Sequence, residues 1–168
     1  MTKIADSIER FLKLICEVFM WANFALIFVI VFQVIARYAF NWTSTSVEEL
    51  QWHLYSIAML TGIAYGITSD SHVRADILFN KFSDKWKNII EILVIVLFIL
   101  PFFSFIFYHS ISFVERSYAV SEASSSPGGL PFRWLIKGVI PFACFLINLA
   151  ALSKLFRTIG KMRNKDVS

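Results

Sequence analysis

The sequence predicts an all-α membrane protein with four transmembrane helices, amphipathic surface helices, and both termini in the cytoplasm. Three observations predict it. Apolar residues make up 57% of the 168 and charged residues 17%, where a soluble domain carries about 45–50% and about 25%. The uncharged residues gather into four runs close to the length that crosses a bilayer. The Lys and Arg residues are divided unevenly between the connecting segments. This composition argues against disorder, which needs low hydrophobicity and high charge. It also argues against a water-soluble enzyme, since one small soluble core does not easily hide eighteen Phe. The length suits a single integral membrane domain over residues 1–168. The net charge of +4 and pI near 9.2 follow from topology and do not imply a nucleic-acid partner.

The first element is an amphipathic lead over residues 3–16. Ile4, Ile8, Phe11, Leu12 and Ile15 recur at helical spacing, with Lys3, Asp6, Glu9, Arg10 and Lys13 between them. That pattern suits a helix entering the membrane at its surface. A span over about 17–38 follows, with 19 uncharged residues between Glu17 and Arg37. Its charged lead contains acidic residues, its apolar run is long, and no clear small-residue cleavage site follows. It therefore reads as a retained helix and not as a signal peptide.

The second span, about 48–69, holds 20 uncharged residues but only six large aliphatic ones: Leu50, Leu54, Ile57, Leu60, Ile63 and Ile67. On an insertion scale these contribute about −2 to −4 kcal/mol. Gln51, His53, Ser56, Thr61 and Thr68 lie on the same segment. Such a helix is poorly suited to lipid and is expected to pack against protein. Ala58, Gly62 and Gly66 repeat every four residues along it, the small-residue spacing that lets two helix backbones approach closely. They are the candidate helix-packing residues. Glu48 and Glu49 open the span, where negative charge suits the helix dipole. They point about 100° apart, which makes a poor acid–base pair. Arg37, across a short loop, is placed to form a structural ion pair with either.

A cytoplasmic amphipathic segment is expected over about 72–90. Ile77, Leu78, Phe82, Trp86, Ile89 and Ile90 form its apolar stripe beside Lys81, Asp84, Lys85 and Lys87. The third span, about 90–114, carries 17 Ile, Leu, Val or Phe among 23 uncharged residues, about −5 to −10 kcal/mol before polar corrections. Its phenylalanines, among them Phe98, Phe102, Phe103 and Phe105, read as lipid or helix contacts. Ser124 to Gly129 reads as a loop outside the cytoplasm. The fourth span, about 134–155, reaches crossing length if Lys137 extends its ammonium to the interface. Pro101 and Pro141 lie inside apolar runs and are expected to kink them. Counting Lys and Arg, the two tails and the middle loop carry twelve and the other two loops four, which places both termini in the cytoplasm.

Candidate chemistry is sparse. No charged side chain falls deep inside a span, where ion pumps and proton relays keep theirs. The interior polar groups are Asn23, Gln33, Ser104 and Asn148, which read as interhelical hydrogen-bonders. No phosphate loop, nucleophile motif or metal cluster is legible, so no catalytic, cofactor or metal residue is assigned. Cys16 and Cys144 read as small apolar packers. His53 and His109 fall at similar depth near the outer face, as a bis-His haem would need. That alternative reading is an electron-transfer protein.

Several stretches carry a resemblance. They are Val47-Glu48-Glu49-Leu50, then Thr61-Gly62-Ile63-Ala64-Tyr65-Gly66, then His72-Val73-Arg74-Ala75-Asp76-Ile77-Leu78. With Arg37-Tyr38, and with Pro127-Gly128-Gly129-Leu130-Pro131 ahead of a span containing Pro141, they resemble the small membrane (Q, small permease) subunit of tripartite ATP-independent periplasmic (TRAP) transporters. Ser71 stands where that family usually has Gly, and Ala75 where Val is usual. The resemblance implies a non-catalytic partner in Na⁺-coupled uptake. A large membrane subunit would move the solute by an elevator-type motion, and a periplasmic substrate-binding protein would deliver an organic anion. This chain would brace the large subunit in the bacterial inner membrane.

Overall fold

A computed structural model describes residues 2–68 and 83–165, and every regular element among them is helical. Helix α1 is Thr2–Phe40 and α2 is Thr45–Thr68. Helix α3 is built of three consecutive stretches: Asp84–Val94, a π-helical Ile95–Ile99, and Leu100–Ala119. Helix α4 is Arg133–Lys165. The His72–Leu78 motif and the first half of the amphipathic segment lie outside the described residues.

No break separates the lead from the first span. Residues 3–16 continue straight into α1, a helix of 39 residues, about 58 Å long. Part of the apolar face of the lead is covered by the chain itself, while Phe11 is exposed. Ala5, Leu12 and Cys16 are buried, the Ser153 hydroxyl donates to the Ala5 carbonyl at 3.1 Å, and Arg157 grips Glu9 through two contacts of 3.0 Å. Asn41, with φ 47°, ends α1 in the left-handed conformation that Asn tolerates.

Pro101 leaves its mark one turn earlier. A proline cannot donate to the carbonyl four residues back, and its ring crowds that carbonyl. The helix widens just before it into the π stretch, where the Leu100 N–H reaches the Ile95 carbonyl. Pro141 lies inside α4, which runs on through it.

Helix α4 is the hub. It packs against α1, α2 and α3, and α1 and α2 pair with each other. Its small residues make this possible: Ala143, Cys144, Ala150, Ala151 and Ser153 are all buried. One core cluster joins Leu12 and Cys16 of α1, Ala64 and Ile67 of α2, and Leu146, Ile147 and Ala150 of α4. Around its termini the bundle is tied by charge as well. Lys154 lies 3.2 Å from Glu91, and the Thr158 hydroxyl donates to the other oxygen of Glu91 at 3.2 Å. The start of α1 and the end of α4 therefore sit at the same end of the bundle.

Among the described residues, three helices are long and apolar enough to cross a membrane: Ala5–Phe40, Trp86–Ala119 and Arg133–Gly160. The expected four are thus corrected to three on this measure. Helix α2 has the length, with 24 residues, but its polar side chains lower its apolarity. Four of them are satisfied, one across to α1 and three by the helix's own carbonyls. Gln51 donates to Gln33 of α1. Ser56, Thr61 and Thr68 donate to the Trp52, Ile57 and Ala64 carbonyls at 2.7, 2.7 and 2.9 Å. Helix α2 runs antiparallel beside α1 from the Arg37–Glu48 pair to the Cys16 thiol, which donates to the Thr61 carbonyl at 3.5 Å. Residues 16 to 37 of a helix span about 32 Å.

Candidate functional site

A cluster of polar side chains forms where α1, α2 and the loop after α3 meet, at the end of the bundle opposite the termini. The first turns of α2 organise it. Glu48 and Glu49 are consecutive, so a helix sends them to different neighbours. Glu48 turns to α1. Its Oε1 accepts from Arg37 at 3.2 Å and from Gln33 Nε2 at 3.0 Å. Gln33 is buried and accepts in turn from Gln51. The result is a chain of hydrogen bonds, Gln51 to Gln33 to Glu48, with Arg37 closing it.

Glu49 does not join Arg37. It turns to the loop over 120–132, accepting from the Ser124 hydroxyl and, at 2.7 Å, from the Leu130 N–H. Ser46 donates to the Gly128 carbonyl. The loop has a shape that fits this grip. Gly129 N–H donates to the Ser126 carbonyl at 3.0 Å, with Pro127 and Gly128 between them and Gly128 at φ 74°. That is a type II turn, which calls for Pro at its second position and a positive φ, hence Gly, at its third. Gly129 answers to space: a Cβ there would collide with Ser124 and stand 3.0 Å from Glu49 Oε1. The far side of the loop is held by Lys137, which pairs with Glu122 and lies 4.1 Å above the Phe113 ring. Lys137 keeps the Glu122 carboxyl below its ordinary pKa of 4.5.

The predicted packing residues divide. Ala58 is buried. Gly62 is not at a close helix contact, for a Cβ built on it meets nothing within 4 Å, and Gly66 is only half-buried. The buried face of α2 is instead Ala58, Thr61, Ala64 and Ile67. Its three-residue spacing is present in the sequence, but the four-residue glycine spacing marks the neighbouring face. The sequence marks Gln33 as an interior amide but does not show its link to Gln51 and Glu48, nor the hold of Ser46 and Glu49 on the loop.

The bis-His haem has no support. His53 is on α2 and His109 on α3, and both helices pack on α4. His109 is exposed beside Phe105, with ring centroids 4.3 Å apart. Among the described residues no group of three His, Cys, Asp or Glu is placed to hold a metal ion. Cys16 and Cys144 are buried free thiols. The site so built can bind and brace through hydrogen bonds and ion pairs.

No individual curated protein matches the chain. The family of tripartite ATP-independent periplasmic transporters, DctQ component, matches residues 26–161, which takes in the last part of α1 from Leu26, then α2, α3, the loop and nearly all of α4. The protein belongs to that family and is a small permease component of a TRAP transporter.

Proposed function

We propose that this chain is the non-catalytic brace of a Na⁺-coupled transporter. A large elevator-type membrane subunit would carry an organic anion supplied by a periplasmic binding protein. The observation that carries the reading is the absence, among the described residues, of any charged side chain in the middle of the three apolar helices. A chain that carried ions or protons across the bilayer would be expected to keep a charged side chain there. Here the ion pairs stand at the two ends and tie helix to helix, which suits a frame against which another body moves.

Helix α2 crosses the bilayer in this reading, shielded along its length by α1 and α4. The termini face the cytoplasm of the bacterial inner membrane, as the excess of Lys and Arg in the tails favours. Arg37, Glu48 and Glu49 then lie at the periplasmic boundary, where they fix the outer ends of α1, α2 and the loop. Ala58 serves packing inside the chain, while Gly62 and Gly66 remain available to a helix of the large subunit.

A deletion strain lacking this chain tests the reading. Uptake of the transporter's solute should fall to background although the large subunit is still made, and should return when this chain is supplied in trans. Uptake unchanged by the deletion would overturn it.

A further inference from the structure

The groove between α1 and α2 has the chemistry of a lipid headgroup site. It is open, encloses about 460 Å³, and lies against the Gln33–Gln51 pair. Arg37 and Glu48 line it at the level where the uncharged run of α1 stops. Ile30 and Val34 line it one to two turns deeper, on the side toward the bilayer core. Tyr38 and Trp52, 81% and 69% exposed, flank it with amphipathic rings of the kind that settle at headgroup level.

The two charged groups are both only partly used. The Arg37 side chain is 53% exposed and, among the described residues, makes its one polar contact through Nη2 to Glu48. A guanidinium carries five N–H donors in a fork that matches phosphate oxygens. Glu48 accepts both Arg37 and Gln33 on Oε1, and its Oε2 has no partner among the described residues. One ligand would use everything left over. It needs a phosphate for Arg37, a cation that donates N–H for Glu48 Oε2, and a hydrocarbon tail for Ile30 and Val34.

We propose that this groove binds a phospholipid with a primary-amine headgroup, phosphate to Arg37 and ammonium to Glu48. The ammonium sets the selectivity. A primary ammonium donates charge-assisted hydrogen bonds to a carboxylate. A quaternary choline has no N–H to give, and a glycerol headgroup leaves the lipid's net negative charge beside Glu48. The buried Gln33 holds the carboxylate in position from behind. A soluble phosphoamine shares the headgroup chemistry but leaves the Ile30–Val34 wall uncovered. The proposal goes beyond the transporter reading, and its test measures lipid retention, not uptake.

The test offers equal amounts of dioleoyl phosphatidylethanolamine, phosphatidylcholine and phosphatidylglycerol to the full-length chain in mild detergent. Retained lipid is read by native mass spectrometry. Parallel samples add glycerophosphoethanolamine or inorganic phosphate as competitors at the concentration of the lipids. The wild type should keep phosphatidylethanolamine about tenfold over the other two, the ratio one charge-assisted hydrogen bond gives. Glu48→Gln should erase the preference over phosphatidylglycerol while lipid is still retained, a change of rank that misfolding would not produce. Arg37→Gln should lower retention of all three. Equal retention of the three lipids by the wild type would overturn the proposal. So would a preference unchanged in both variants, or displacement by either soluble competitor.

Discussion

Glu49 reaches across 81 residues of sequence to accept the Leu130 backbone N–H at 2.7 Å. This bond makes the start of α2 a fixture of the loop that leads into α4. Its neighbour Glu48 fixes α2 to α1 through Arg37. Two consecutive carboxylates thus join two helices and the loop into α4 at one end of the bundle, while Arg157–Glu9 and Lys154–Glu91 join three helices at the other.

Glu49→Ala should release the loop without unfolding the bundle. Both the Ser124 hydroxyl and the Leu130 N–H lose their acceptor, a local loss of about 1–3 kcal/mol. Amide exchange at Leu130 should speed up by one to two orders of magnitude, with α4 exchange unchanged. Leu130 protected as in the wild type would mean that the bond does not hold the loop.

Gly129→Ala should cost stability where Gly138→Ala does not. The added methyl at 129 meets Ser124 and Glu49, whereas at 138 nothing lies within 4 Å. Overpacking of this kind costs about 1–3 kcal/mol, and a helical Gly→Ala change gains about 0.5–1 kcal/mol. Thermal unfolding in detergent should therefore move down for the first variant and level or up for the second.

A similar contrast applies on α2. Ala64 is fully buried in the core cluster with Leu12 and Cys16, so Ala64→Leu should destabilise by about 1–3 kcal/mol. Gly62→Ala has open space and should leave the chain's own melting temperature level or raised. A lowered melting temperature for Gly62→Ala would return that residue to the interior packing face.

The loop should loosen in acid through Glu122. Its carboxyl is held below the ordinary 4.5 by Lys137, so the folded state binds its proton less readily than the unfolded one. The pair's contribution is complete above 4.5 and is lost as pH falls through the lowered folded value. Amide exchange in residues 120–132 followed from pH 7 to 3 should show this loss in the wild type. Glu122→Gln should reduce that dependence, leaving the part due to the hold of Glu49 on Ser124 and Leu130, and leave the loop weaker at neutral pH. A pH profile identical in the two proteins would contradict it.

Much of this architecture was legible because charge and hydrophobic runs are one-dimensional signals. The apolar cores of α1, α3 and α4 could be read from the spacing between Glu17 and Arg37, Glu91 and Glu115, and Lys137 and Lys154. Even the poverty of α2 was visible in its six aliphatic residues. What could not be read was direction around each helix. The Gly62–Gly66 spacing marks small residues but does not say which neighbour they meet, and the buried face proved to lie one step round, on Thr61 and Ala64. His53 and His109 share a depth, yet the hub position of α4 is a property of the packed bundle. The lead of α1 reads as a surface helix because its apolar stripe has no visible partner in sequence; Leu146, Ile147 and Ala150, about 130 residues away, supply one for Leu12 and Cys16. Glu49 illustrates the same limit, for its partners belong to a loop that composition marks only as a turn.

The most direct measurement of the central claim is solute uptake by proteoliposomes under an inward Na⁺ gradient. Vesicles would contain either this chain alone or this chain with its large transporter subunit, both with the loaded binding protein outside. The account predicts no uptake above empty vesicles for the chain alone and gradient-driven uptake for the pair. Na⁺-dependent accumulation by the chain alone would contradict it.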